Sequence, residues 1–198
     1  MNVRVLPTAD VDVDASIGDG TTIWHLAQIR ESVVIGRGCN IGRGAYVGPG
    51  VRIGDNCKIQ NYALLYEPAV LGAGVFIGPG VVLTNDRNPR AIDSTGRRKG
   101  PHDWNQVGVT VGEGASVGAQ AVCVAPVNVG RWAMVAAGAV VTRDVPDFAL
   151  VAGGPARRVA WVGRAGERLI STGPGAWRCP RTSATYLEHD GKLTEDEP

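Results

Sequence analysis

The sequence predicts an all-β protein, a parallel β-helix of six-residue repeats, and three observations carry that prediction. From Val11 to Leu83 an aliphatic residue recurs every six residues, thirteen times without a gap: Val11, Ile17, Ile23, Ile29, Ile35, Ile41, Val47, Ile53, Ile59, Leu65, Leu71, Ile77 and Leu83. Four residues after each of the first twelve comes a small or β-branched one, from Ala15, Thr21 and Ala27 through Cys39 and Cys57 to Val81. Seven of the thirteen aliphatics are followed directly by Gly. Six is not a multiple of the helical 3.6, and it is too short for a helix pair or a propeller blade. A fixed hexad is the mark of a β-helix.

Each element follows in order. Six residues suit a strand of about four plus a corner that Gly eases, and three strands close an 18-residue coil. The aliphatic points inward, the small residue fills the corner, and successive coils stack about 4.8 Å apart. The repeat resumes in a new register at Val111, Val117, Cys123, Val129, Val135 and Val141, 28 residues after Leu83. Because 28 is not a multiple of six, a loop leaves the coil over about residues 84–105. Both blocks together give six to seven coils and a β-helix domain over residues 1–148. Val151–Arg158 reads as a turn, and 157–169 as a short amphipathic helix with Val159, Val162 and Leu169 apolar, so residues 149–170 form a turn and C-terminal helix. Residues 171–198 read as a polar tail, with Ser171–Gly175 a linker and Thr194–Pro198 frayed.

Composition narrows the function classes. With 44% hydrophobic and 20% charged residues and a net charge of +1, nothing electrostatic recommends a nucleic acid or a membrane surface as partner. No apolar stretch reaches 18 residues and no signal pattern opens the chain, so a cytoplasmic location is expected. Cys39, Cys57 and Cys123 occupy inward positions and read as reduced packing residues. Cys179 lacks a second cysteine at zinc-knuckle spacing, and no metal is expected. The Gly36-x-Gly38 run has no helix after it, so it is a pair of corners and not a dinucleotide loop.

The repeat breaks its own rule on two faces only. One corner keeps Gly at 18, 36, 54 and 72; the next has Trp24, Gly42, Gln60 and Gly78; the third has Arg30, Gly48, Tyr66 and Thr84. The fold does not require that asymmetry, so the two Gly-poor corners are expected to line a working surface. The 18-residue period stacks His25, Arg43 and Asn61 in one column. It also sets Glu67 and Asn85 one coil apart, about 5 Å at the backbone, where the loop departs. A carboxylate beside a carboxamide offers acceptor oxygens to an amine. Each residue also has a bland role: His25 and Trp24 as corner packing, Arg43 as a solvated charge, and Arg87, Arg90, Arg97, Arg98 and Lys99 as solubilising loop residues or anion contacts.

Over residues 11 to 170 the chain resembles the hexapeptide-repeat acyltransferases. Within them, Ile23-Trp24-His25, Lys58-Ile-Gln-Asn61, Tyr66-Glu67, Thr84-Asn85, Asn88-Pro-Arg90 and Arg98-Lys99 look like N-acetyltransferases of nucleotide-linked 3-amino sugars. It departs from their pattern at Tyr62, Pro68 and Gly100–Trp104. The resemblance implies a left-handed helix, an exception to the usual crossover, and a homotrimer binding acetyl-CoA between subunits. By that match Asn85 holds the sugar amine. The stacked corners add Glu67, to orient the amine, and His25, to assist proton removal, and Trp24, Asn61, Tyr66, Arg90 and Arg98 are expected against the sugar nucleotide. Ala137, Gly138, Arg143, Gly153, Pro155, Ala156 and Arg157 would line the coenzyme, with Arg158 a further candidate for its phosphates.

A neutral amine already carries a lone pair, so attack on a thioester needs positioning more than a strong base. O-acetylation is the alternative, and would need a base such as His25 or His102. A zinc hydratase on the same coil needs three histidine ligands per site, and His25, His102 and His189 are scattered over coil, loop and tail. An inert binding scaffold would not need the Gly-poor corners or the basic loop.

Overall fold

A computed structural model describes residues 2–196. Strands of mostly two residues alternate with tight corners, and the first three, Arg4–Val5, Asp10–Val11 and Ser16–Ile17, each found one sheet of a three-sided prism. Within these three sheets the strands of the coils pair in parallel with those a coil away, as Ile23 with Ile41 and Ile29 with Val47. The coils are those of a left-handed parallel β-helix of about eight turns. The expectation of six to seven coils was short at both ends. Arg4–Val5 pairs with Thr22–Ile23 one repeat before Val11, and Ala149–Ala152 adds a rung beyond Met134–Val135. In neither does Gly directly follow the inward aliphatic: Leu6 comes after Val5 and Ala152 after Val151.

The two interlocked registers form the core: Ile23, Ile41, Ile59, Ile77 and Val117 in one column, and Ala27, Ala45, Ala63 and Val81 in another, are all buried. One inward column is polar and satisfies itself. Thr21 Oγ1 accepts from Cys39 N (2.9 Å) and donates to Gly36 O (2.9 Å), and Cys39 Sγ accepts from Cys57 N (3.4 Å). The Cys39 and Cys57 thiols donate to the Gly54 and Gly72 carbonyls, each at 3.2 Å. Hydrogen bonding to Cys39, with burial, pushes the Cys57 thiol up, and burial alone pushes Cys123 up to about 12. All four cysteines are unpaired.

The loop leaves after Leu83 and returns at Val109–Val111 without interrupting the stack, since Leu83 still pairs with Cys123 and Leu71 with Val111. Its base is closed by Val107 N donating to Asn85 O (3.1 Å) and by an Asp86–Gln106 bridge.

The expected C-terminal helix is absent. Arg157–Trp161 is a strand, antiparallel to Ala149–Ala152 with Ala149 opposite Trp161. The last rung of the first sheet would otherwise present unpaired backbone groups, and covering that edge overrides a weak helical pattern. Val159, assigned to the helix's apolar face, is half-exposed, while Trp161 and Val162 are buried. The polar tail is likewise a sheet: Ile170–Gly173, Ala176–Arg178, Thr185–His189 and Lys192–Glu195 run antiparallel. The supposed linker 171–175 is its first hairpin, with Gly175 at φ +68°. Cys179, Tyr186 and Leu193 are buried, and Tyr186 meets Phe148 edge-on at 5.4 Å. A strand buries one face only, so a few apolar side chains suffice for a segment whose composition reads as polar. Of the residues expected to fray, Thr194 and Glu195 lie in the last strand, and 197–198 lie outside the described residues. Among the described residues no helix is long and apolar enough to cross a membrane.

Candidate active site

Where the second sheet turns into the third, the corners and the loop enclose a cleft of about 900 Å³. Tyr66 and Glu67 come from one corner, Asn85 from the corner one coil on, and Tyr46 from the strand one coil back. The Tyr46 and Tyr66 rings lie 5.3 Å apart, inclined at 49°, and form an aromatic floor. Arg90, Arg98, Lys99 and Trp104 reach in from the loop. Arg97 lines the cleft too, but its guanidinium is held by Asp93 (3.1 Å) and Asp103 (3.0 Å) and braces the loop. The cleft thus carries Glu67 and Asn85, stacked one coil apart, from the coil, and cations from the loop.

Glu67 is the unusual group. Its Oε2 is buried and has no hydrogen-bond partner. A Cβ added to Gly48 would stand 2.5 Å from that oxygen, so only a glycine there leaves the carboxylate its position. Burial, together with the charge of Glu67, pushes the Tyr46 phenol above its ordinary value, so it stays protonated at neutral pH and can donate. Below it, Arg30 and Glu31 pair at 2.8 Å, and a hydrogen bond from its own backbone N–H, helped by Arg30, holds Glu31 below the usual carboxylate range.

Apart from Arg143, the remaining expected site residues lie along or just beyond another edge, where the first sheet turns into the second. His25 Nδ1 sits 2.9 Å from Thr8 Oγ1. Trp24 Nε1 donates to Asn40 Oδ1 at 2.7 Å, under the Arg4 guanidinium at 5.7 Å. Asn61 Oδ1 accepts from Arg43 N at 2.9 Å, which verifies the expected column and gives that carboxamide a structural task. Farther up the same edge come Ala137 and Gly138, then Gly153 with Pro155 and Ala156, whose turn is fastened by Ala156 N donating to Val140 O at 2.7 Å. Gly138 and Gly153 are left-handed at φ +69° and +93°, and open space surrounds a Cβ built on Gly138. Arg157 is exposed, with Nη1 on Ala156 O at 2.8 Å. Arg158 instead stacks on Trp161 at 4.1 Å and pairs with Glu188 at 3.5 Å. Arg143 stands exposed on the cleft's edge, beyond the strand Val140–Val141.

One chain thus unites Glu67, Tyr66, Asn85, Arg90 and Arg98, and does not bring His25, Trp24, Asn61 or the Ala137–Ala156 group to them. Sequence reasoning missed Tyr46 and Trp104 as cleft residues, while Lys99, weighed there as an anion contact, does line the cleft. Tyr46 carried a signal, an outward aromatic on the same face as Tyr66.

Two repeat patterns match the coils themselves. The bacterial transferase hexapeptide model (six repeats) matches residues 14–49 and 50–85, and that for the hexapeptide repeat of succinyl-transferase matches 108–143. Together they cover more than half the chain and leave out the loop between them. The chain belongs to the hexapeptide-repeat transferase family. This hexapeptide-repeat protein is 51% identical over 59 residues to dTDP-3-amino-3,6-dideoxy-alpha-D-galactopyranose 3-N-acetyltransferase of Aneurinibacillus thermoaerophilus, which is 30% of this chain and 31% of the relative. It is 32% identical over 140 residues to the bifunctional protein GlmU of a Synechococcus species, 71% of this chain and 27% of that one. The chain thus spans about a third or less of the length of these curated relatives. Among solved structures, the acetyltransferase domain of PglB from Neisseria gonorrhoeae shares the fold, with a TM-score of 0.51, 24% identity and coverage of 79% and 57% of the two chains.

Proposed function

We propose that this protein transfers an acetyl group from acetyl-CoA to the amine of a nucleotide-linked 3-amino sugar, carried on UDP or dTDP, in the making of a surface polysaccharide or glycoside. The observation that carries this reading is the unpartnered carboxylate oxygen of Glu67, one coil from Asn85, in a cleft that takes cations from the loop. An amine offers the donor that the Glu67 oxygen lacks, and a nucleotide diphosphate offers the anions that Arg90, Arg98 and Lys99 would bind. The relative from Aneurinibacillus thermoaerophilus, named for N-acetylation of a dTDP-linked 3-amino sugar, supports the same substrate class.

Asn85 and Glu67 orient the nitrogen lone pair at the thioester carbon. The C–N bond forms as the C–S bond breaks, the coenzyme leaves as its thiolate, and the proton released by nitrogen converts the thiolate to thiol. No strong base is needed. Acetyl-CoA would lie along Ala137–Gly138 and Gly153–Ala156, where small side chains leave room for its pantetheine arm and backbone N–H groups can meet a developing oxyanion. Arg143 and Arg157 would meet its phosphates. Since Ala137–Gly138 and Gly153–Ala156 lie on a different edge of the prism from the cleft, while Arg143 lies on the cleft's own edge, the site would be completed in a homotrimer, with one subunit's cleft facing its neighbour's coenzyme edge, including His25, Trp24 and Asn61.

The test is thiol release from acetyl-CoA with UDP- and dTDP-linked 3-amino sugars and their 3-hydroxy counterparts. Turnover confined to amino sugars is expected. Turnover confined to hydroxy sugars would replace N-acetylation with O-acetylation through a histidine base. Silence across the panel would sink the substrate class.

A further inference from the structure

The corners of this solenoid share a device that ties down polar side chains. Asp55 Oδ1 accepts from the backbone N of Arg37 at 2.7 Å, Asn61 Oδ1 from that of Arg43 at 2.9 Å, and Asp147 Oδ1 from that of Arg131 at 2.7 Å. Each acceptor sits one coil above the N–H it caps and over the glycine that precedes it. A Cβ on Gly42 would stand 2.7 Å from the Asn61 oxygen, and one on Gly130 would stand 2.6 Å from that of Asp147. Glu67 repeats the arrangement over Gly48, with Oε2 at 2.5 Å from such a Cβ. The residue directly below it, 18 positions back, is Pro49, which has no N–H to give. That is why Oε2 is buried without a partner.

We propose that Pro49 is a positioning residue of the active site: by withholding the backbone donor found at the equivalent corners, it leaves the Glu67 carboxylate unpinned and free to answer the substrate amine. Native structures rarely leave a buried acceptor unsatisfied without reason, and an unheld carboxylate turns easily about its broad terminal torsion. The inference rests on the acetyltransfer reading of the cleft, and it extends that reading to a residue that touches no ligand.

The experiment restores the missing donor. Pro49→Ala supplies an N–H where the other corners have one, and it is made both in the parent protein and in a Glu67→Ala background. Comparing the two backgrounds removes the effect of proline on the unfolded chain. With Glu67 present, Pro49→Ala is expected to raise the melting temperature by about 2–4 °C relative to its effect without Glu67. It should also raise KM for the amino sugar about tenfold, because the carboxylate must leave its new partner to bind the amine. The KM for acetyl-CoA should not move. Equal melting shifts in both backgrounds would overturn the inference, because no bond to residue 49 would have formed. A coupled melting shift with an unchanged amino-sugar KM would overturn it too. Failure of the acetyltransfer reading would be visible separately, as a parent protein that acetylates no amine.

Discussion

At the scale of single residues, the cleft assigns its tasks by chemistry and column. Asn85→Ala and Glu67→Gln should each lower kcat/KM by about 10²-fold, the usual effect of misplacing a reacting group, as measured by thiol release from acetyl-CoA. Both variants should melt as the parent does, because neither side chain holds a coil together. A matching loss on removing His25, in a protein that still acetylates amines, would transfer the proton chemistry to the neighbouring edge. The Glu67–Asn85 pair was legible in the sequence, since an 18-residue period fixes which corners stack. Tyr46 and Trp104 were not. Whether an outward aromatic floors a cleft depends on how the loop folds back over it, and the hexad says nothing about a segment that leaves the hexad.

At the scale of elements, corners and loop obey different rules. Gly42 lies beneath Asn61, and a Cβ there would stand 2.6 Å from the Asn61 backbone nitrogen. Gly42→Ala should therefore destabilise by about 1–3 kcal/mol through overpacking, read from denaturant unfolding. Gly138 is open to space but left-handed, so Gly138→Ala should act through backbone strain of about 1 kcal/mol and raise KM for acetyl-CoA. The loop is ordered by charge, not by burial. Hydrogen bonds from Thr95 and Arg97 hold Asp93 below its ordinary carboxylate value, and Arg97 holds Asp103 below its own. Carboxyls depressed in the folded state contribute order that is present above their unfolded value, about 3.9, and lost as pH falls through the lower folded values. Limited proteolysis at acid pH should accordingly cut within 86–106 before the coils open. Arg97→Ala should bring that cutting to neutral pH.

At the scale of the whole molecule, the prism was readable almost to the residue, because its period is strict and its core repeats one choice of side chain. Its ends were not readable. The strand Arg157–Trp161 carries helix-like spacing, and its fate was decided by the open edge of the last rung, a long-range demand that local pattern cannot display. The C-terminal sheet is joined to the prism by Tyr186 against Phe148, by the Arg164–Glu195 pair at 2.7 Å and by the Arg158–Glu188 pair at 3.5 Å. Tyr186→Ala should cost about 3–5 kcal/mol and free residues 170–196 for proteolysis while leaving the repeat's strand signal in circular dichroism intact.

The loop has a consequence for how the chain holds together in time. Every rung before it pairs residues 18 apart, such as Lys58 with Phe76, but at the seam the separation becomes 40, as Phe76 with Ser116 and Val82 with Val122. Stacked repeats behave as nearest-neighbour chains, in which order spreads from one unit to the next. Closing 40 residues instead of 18 adds roughly 0.7 kcal/mol of entropy at that one junction. The solenoid therefore consists of two zippers joined by a slower stitch, and fraying that starts at either terminus should pause there. Native-state hydrogen exchange is expected to sort the amides into two blocks, one ending at Leu83 and one beginning at Val109, each opening as a unit.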